Sequence, residues 1–170
     1  AFYEHMPLRS SVLTRALEGL TQGADLRLHG HVSLGRLGSL TLLDTRQHKS
    51  AQACTRNGQR GASTVIPRRC SLWRAPDRSM LGLPQEAWLD RVMQRMPREG
   101  WNLLAQTTLF GQRNLRTAPE QMFSNDGWDG YEPARDRLVA GLQRHRVGNP
   151  VMLGGDVHQN WVGHIKSDYD

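Results

Sequence analysis

Two prolines, Pro84 and Pro133, each begin an apolar pattern with helical spacing, and a short apolar run follows each pattern. This alternation restricts the fold more than any other feature. Proline suits the first turn of a helix, where its missing N–H sacrifices no hydrogen bond. After Pro84, Glu86 falls in the first turn, and Trp88, Leu89, Val92, Met93 and Met96 share one face. Pro97 and Gly100 stop that helix, and Trp101-Asn102-Leu103-Leu104-Ala105-Gln106 reads as a buried strand. After Pro133, the inner face is Ala134, Leu138, Val139 and Leu142, with His145 and Arg146 in the last turn, where positive charge complements the helix dipole. Gly148-Asn149-Pro150 breaks the pattern, and Val151-Met152-Leu153 reads as a short buried strand. Upstream, His31–Leu34 and Ser39–Leu43 flank Gly35-Arg36-Leu37-Gly38, two strands joined by a tight turn. Residues 12–22 carry Leu13, Leu17 and Leu20 at a short helical spacing. Strands alternating with helices make a layered α/β domain.

Between these elements lie two long polar stretches, residues 48–80 and 111–132, read as loops, and a surface loop as long as the first is often an active-site wall or lid. The first holds both cysteines, Cys54 and Cys70. An even count at this spacing fits one disulfide in an exported protein, and equally two thiols in a reducing compartment.

Charge narrows the function classes only partly. The formal net charge is +6, and 20 of the 22 basic residues are arginine. The arginines are scattered, with no run longer than Arg68-Arg69, which describes a charged surface better than a nucleic-acid footprint. No run approaches the ~18 apolar residues of a membrane-spanning helix. The chain opens on Ala1-Phe2-Tyr3 with no signal-type start, the expectation for a mature secreted chain or an excised piece.

Chemistry-bearing residues gather at two strand ends. Leu42-Leu43 runs into Asp44, and Met152-Leu153-Gly154-Gly155 runs into Asp156, with His158 two residues on. Ligands of open α/β sheets bind beyond the carboxyl ends of the strands. Acids from neighbouring strands could share a cation there, and in an extended segment Asp156 and His158 would point the same way. Carboxylate with imidazole suits iron, manganese or zinc, and carboxylates alone suit calcium or magnesium. The bland reading is an Asp that caps a turn and a half-buried histidine. Asp126, Trp128 and Asp129 either reach such a metal or fix the loop before the second helix. Arg46 either meets a phosphate oxygen or forms a structural salt bridge. There is no Gly-x-Ser-x-Gly elbow and no phosphate-cradling Gly-x-x-x-x-Gly-Lys.

Several stretches occur together in one order. They are Tyr3-Glu4-His5-Met6-Pro7-Leu8-Arg9, Leu43-Asp44-Thr45-Arg46-Gln47, and Met80-Leu81-Gly82 with Gln85-Glu86-x-Trp88-Leu89. Trp101-Asn102-x-Leu104-Ala105-Gln106, Asp126-Gly127-Trp128-Asp129-Gly130-Tyr131 and Gly155-Asp156-Val157-His158 follow. Over nearly the whole chain this resembles the PhoD-like alkaline phosphatases (alkaline phosphatase D) of the calcineurin-like metallophosphoesterases. The resemblance implies an α/β fold, a partial metallophosphoesterase-type β-sandwich flanked by helices, with residues 1–170 forming part of one catalytic domain. It implies hydrolysis of phosphate mono- and diesters by a metal-activated water or hydroxide, with iron and calcium as the metals. It implies Asp44, Asp156 and His158 as metal ligands, and no catalytic group beyond them.

The family's upstream Cys, Gly-Asp acid and Trp-Asp-Asp-His-type segment have no counterpart here, so the metal site is expected to be incomplete and this chain alone inactive or nearly so. The partner is then a phosphate ester substrate, nucleic acid entering only as a phosphodiester, and the location periplasmic or secreted. Two competing expectations stand beside this one. A non-catalytic basic binding module, or a degenerate relative, would present a contiguous arginine face. A truncated product without a stable fold would expose apolar sheet edges.

Overall fold

Each proline-led pattern forms its helix, although Met96 and Arg146 fall beyond the helix ends at Met93 and Arg144. The structure is a computed structural model that describes residues 27–58, 61–116 and 119–166. The strands are β1 (Gly30–Ser33), β2 (Gly38–Leu42), β3 (Thr64–Val65), β4 (Trp101–Ala105), β5 (Phe123–Ser124) and β6 (Pro150–Leu153). The helices are α1 (Leu83–Met93) and α2 (Glu132–Arg144). The helical spacing at residues 12–22 and the Tyr3–Arg9 stretch lie outside the described residues.

A four-stranded sheet runs in the order β1-β2-β4-β6. The β1–β2 pair is the antiparallel hairpin that the turn at Gly35–Leu37 requires, with Val32 opposite Leu40. β2, β4 and β6 are parallel, with Leu40 opposite Leu103 and Leu103 opposite Val151. Parallel neighbours need a crossover. α1 supplies it between β2 and β4, and α2 between β4 and β6.

Side chains alternate across a strand, so the sheet has two distinct faces. One face turns Ser39, Thr41, Asn102 and Leu104 toward the helices, and all four are buried. Leu104 joins Leu89, Met93, Leu138, Leu142, Met80, Leu81, Trp128 and Tyr131 in the main core. Burying a side chain of this kind contributes about 1.5–3 kcal/mol. Polar members of the face are paired: Ser39 Oγ donates to Asn102 Oδ1 at 2.7 Å, and the Asn102 amide donates to the carbonyls of Pro97 and Gly148.

Two sequence expectations need correction. β6 is not buried: it lies at one edge of the sheet, and Pro150 and Leu153 are exposed. Residues 48–80 are more than a surface loop. They contribute Ala53, Val65, Cys70 and Trp73 to a second small core, closed by Phe123. β3 and β5 pair antiparallel beside it, and Cys54 and Cys70 form a disulfide. Buried backbone needs partners, and here side chains provide them. The Asn125 amide donates to Ala53 O and Ser63 Oγ, Arg78 donates to Ala51 O and Gly130 O, and Tyr131 Oη donates to Ser50 O at 2.6 Å. The fold is thus mixed α/β, one four-stranded sheet carrying two helices and a two-stranded ribbon.

Candidate functional site

Because β2, β4 and β6 are parallel, their carboxyl ends share one edge. Asp44 follows β2, Gln106, Thr107 and Thr108 follow β4, and Asp156 follows β6. β4 separates β2 from β6, so the two acids come from alternate strands and not from neighbours.

Asp44 is nearly enclosed and closes a turn. Its Oδ1 accepts the backbone N–H groups of Arg46 (2.9 Å) and Gln47 (3.1 Å), and its Oδ2 accepts the Gln47 amide. Burial pushes this carboxyl up, but those donors, with His48 nearby, push it further down, so it ionises below its ordinary value. Gln85 of α1, itself buried, locks the Asp44 backbone from both sides. Its Oε1 accepts the Asp44 N–H at 2.9 Å, and its Nε2 donates to the Asp44 carbonyl at 2.8 Å.

Arg46 links the acids. Its Nη1 donates to Asp126 at 3.0 Å and its Nη2 to Asp156 at 3.5 Å. Asp126 also accepts from Lys49 Nζ and, at 3.0 Å, from Gln52 Nε2. Burial opposes its ionisation, but the Lys49, Gln52 and Arg46 donors prevail and hold it down to about 2. Arg46 thus makes the ion pairs of one sequence reading, and its side chain is about half exposed. Asp126 belongs to this edge, whereas its neighbours do not. Trp128 lies in the core, and Asp129 pairs with Arg135 at 3.1 Å, its carboxyl pushed up by burial against the pull of Arg113 and Arg135.

Asp156 and His158 are exposed, and both have left-handed backbones, φ 69° and 55°. The segment is therefore not extended, and the alternation argument for their convergence does not hold there. Gly154 is required by close approach: a Cβ on it would lie 2.1 Å from the Thr108 carbonyl oxygen. Gln106 secures the same junction. Its amide donates to Thr108 O and to Leu153 O (3.2 Å) and accepts Trp128 Nε1–H at 3.0 Å.

Sequence reasoning passed over Gln85, Gln106, Lys49 and His29. Gln85 and Gln106 stood inside the family stretches without a role being assigned, and Lys49 stood out as one of two lysines among 22 basic residues. His29 stacks on Trp88 with ring centroids 4.5 Å apart, and its buried Nδ1 has no hydrogen-bond partner among the described residues. Burial, then Arg27, lowers its pKa, which favours the neutral ring.

Among the described residues, no three His, Cys, Asp or Glu side chains are grouped so as to hold a metal ion. Asp44 is engaged by its own turn, and Asp156 by Arg46. A catalytic cage needs three or more ligands around an open position, and the described residues do not supply that on their own.

The sequence profile of the PhoD-like phosphatases matches residues 1–170. The chain belongs to the PhoD-like phosphatase family. It is 35% identical to alkaline phosphatase D of Bacillus subtilis (strain 168) over 170 residues, which is all of this chain and 26% of that protein. A solved PhoD structure superposes with a TM-score of 0.72 at 35% identity, over 92% of this chain and 27% of that one. The chain thus spans about a quarter of the PhoD-like proteins it matches. No helix among the described residues is long and apolar enough to cross a membrane.

Proposed function

We propose that this chain forms part of the catalytic domain of a phosphoesterase that hydrolyses phosphate mono- or diesters. The observation that carries the proposal is the carboxyl edge of the sheet, where Arg46 ties Asp156 to Asp126 beside the turn closed by Asp44. Family membership supplies the reaction class. Asp44, Asp156 and His158 are proposed as this chain's share of a metal cage, with iron and calcium as the expected metals and the remaining ligands outside the described residues. In this reading Asp44 contributes a carboxylate whose backbone Gln85 holds rigid, and Arg46 is a positioning residue that holds the β6 acid toward the β2 turn. The sheet face opposite the helices carries Val32, Leu40, Leu103 and Val151 in register, each half-buried or exposed, which supports a further sheet packed there, the sandwich arrangement. The disulfide supports an exported protein, since such bonds persist in oxidising compartments.

The test is hydrolysis of p-nitrophenyl phosphate and its bis-ester with added calcium and iron. The 170-residue chain is assayed beside a chain extended to the length of its relatives, each with an Asp156→Ala control. Activity in the long chain alone, abolished by the substitution, is the expected result. Activity in neither would favour the non-catalytic or degenerate reading. Activity in the short chain would refute the incomplete cage.

A further inference from the structure

A cavity of about 510 Å³ opens beside the disulfide and shares no residue with the carboxyl edge. That volume lies in the range of small-molecule sites. Its apolar wall is Ile66, Pro67, Trp73 and Pro119. Arg68, Arg74 and Glu120 supply its charged lining.

The wall is held in place before any ligand arrives. Successive tight turns bind Arg69 N to Ile66 O (2.9 Å), Cys70 N to Pro67 O (2.9 Å) and Trp73 N to Cys70 O (3.0 Å). The disulfide anchors Cys70 to Cys54, and Trp73 packs on Phe123 with ring centroids 6.3 Å apart.

The charges differ in exposure. The Glu120 side chain is only 11% exposed and forms ion pairs with Arg68, Arg69 and Arg116. Arg74 pairs with Glu132, 2.9 Å away. The Glu120 carboxylate is the more buried group, and the side chains of Arg68, its partner, and Arg74, paired with Glu132, are 66% and 73% exposed. Each guanidinium has five N–H donors, so one or two ion pairs leave donors to spare. Arginine's planar fork matches sulfonate, phosphate and carboxylate oxygens.

We propose that this cavity binds a small aromatic anion, its ring against Ile66, Pro67 and Pro119 with only the edge of the buried Trp73 at the base, and its acid group on Arg68 and Arg74. The proposal does not depend on the phosphatase reading. The probe is 1-naphthalenesulfonate, which carries a fixed anion and no ester to hydrolyse. Titration calorimetry of the full chain, with its disulfide oxidised, should show one site. Affinity should fall about tenfold or more in Arg68→Ser/Arg74→Ser and stay unchanged in Arg95→Ser, a residue that does not line the cavity. Binding to the unsubstituted chain should weaken as sodium chloride is raised, a readout that needs no variant to fold. Inorganic sulfate and neutral 2-naphthol should each bind far more weakly than the probe. No binding, salt-independent binding, equal binding by the folded double variant, or equal binding of either control compound would overturn the proposal.

Discussion

At the residue scale, the carboxyl edge rests on a few side chains whose loss is measurable. Folding depresses the Asp126 carboxyl from its ordinary 3.8 to about 2. Its contribution is therefore complete above about pH 4 and is lost as pH falls toward about 2. Asp126→Asn should cost about 1 kcal/mol at pH 7, allowing for solvent screening of a partly exposed site. Urea unfolding of the two proteins should converge as the pH is lowered from 4 to 2, and a constant difference would contradict the assignment. Gly154 is the second test. Because a Cβ there meets a backbone oxygen at 2.1 Å, Gly154→Ala should destabilise by about 2 kcal/mol or more. Moving the Gln106 amide, 2.6 Å from that Cβ, would not relieve the clash, because the nearest atom is the Thr108 backbone oxygen.

At the element scale, α1 does two jobs. Its apolar face, Leu89 and Met93, packs on the sheet, and its polar Gln85 reaches the Asp44 backbone. Gln85→Ala should cost about 2 kcal/mol, because it leaves buried backbone groups of Asp44 unpaired. The loss should appear in chemical denaturation and as faster amide exchange at Asp44. The 48–80 segment is an element in its own right. A disulfide spanning 16 positions, a two-stranded ribbon and a five-residue core hold it against residues 123–126. Cys54→Ser with Cys70→Ser should cost about 3 kcal/mol by the loop-entropy argument. The Trp73–Phe123 packing should loosen, visible as a loss of near-ultraviolet circular dichroism.

At the scale of the whole molecule, the sheet is covered unequally. The face opposite the helices carries Val32, Leu40, Leu42, Leu103, Val151 and Leu153, each half-buried or exposed among the described residues. Contiguous apolar surface of this kind marks an interaction face. The chain spans about a quarter of its relatives, and we propose that the rest of such a protein packs here. The 170-residue chain alone should therefore self-associate. Leu42→Lys with Leu153→Lys should shift it toward monomer in sedimentation velocity without altering its circular dichroism. An unsubstituted chain that stays monomeric at high concentration would show that this face is already covered.

The helices and four of the strands could be read directly from the chain, because proline placement and apolar periodicity are local properties, and both operate within a dozen residues. Membership of the family was legible for a related reason: the motifs around Asp44, Trp101, Asp126 and Asp156 occur in order along the sequence. What lay beyond reading depended on contacts between distant segments. Nothing near Gln85 announces that it will pair with Asp44, 41 positions away, nor that Arg46 will meet Asp156 across 110. The cysteine count allowed a disulfide, and only the folding of the 48–80 segment about Trp73 and Phe123 brought Cys54 to Cys70. The pattern at Asp156 and His158 suggested convergence, but the left-handed backbone at both positions overrode it, since the alternation of side chains holds only in an extended segment. Sequence determined the elements and the kinship. Tertiary structure decided which polar groups meet, because the sheet order that places β4 between β2 and β6 is a long-range choice that no local pattern encodes.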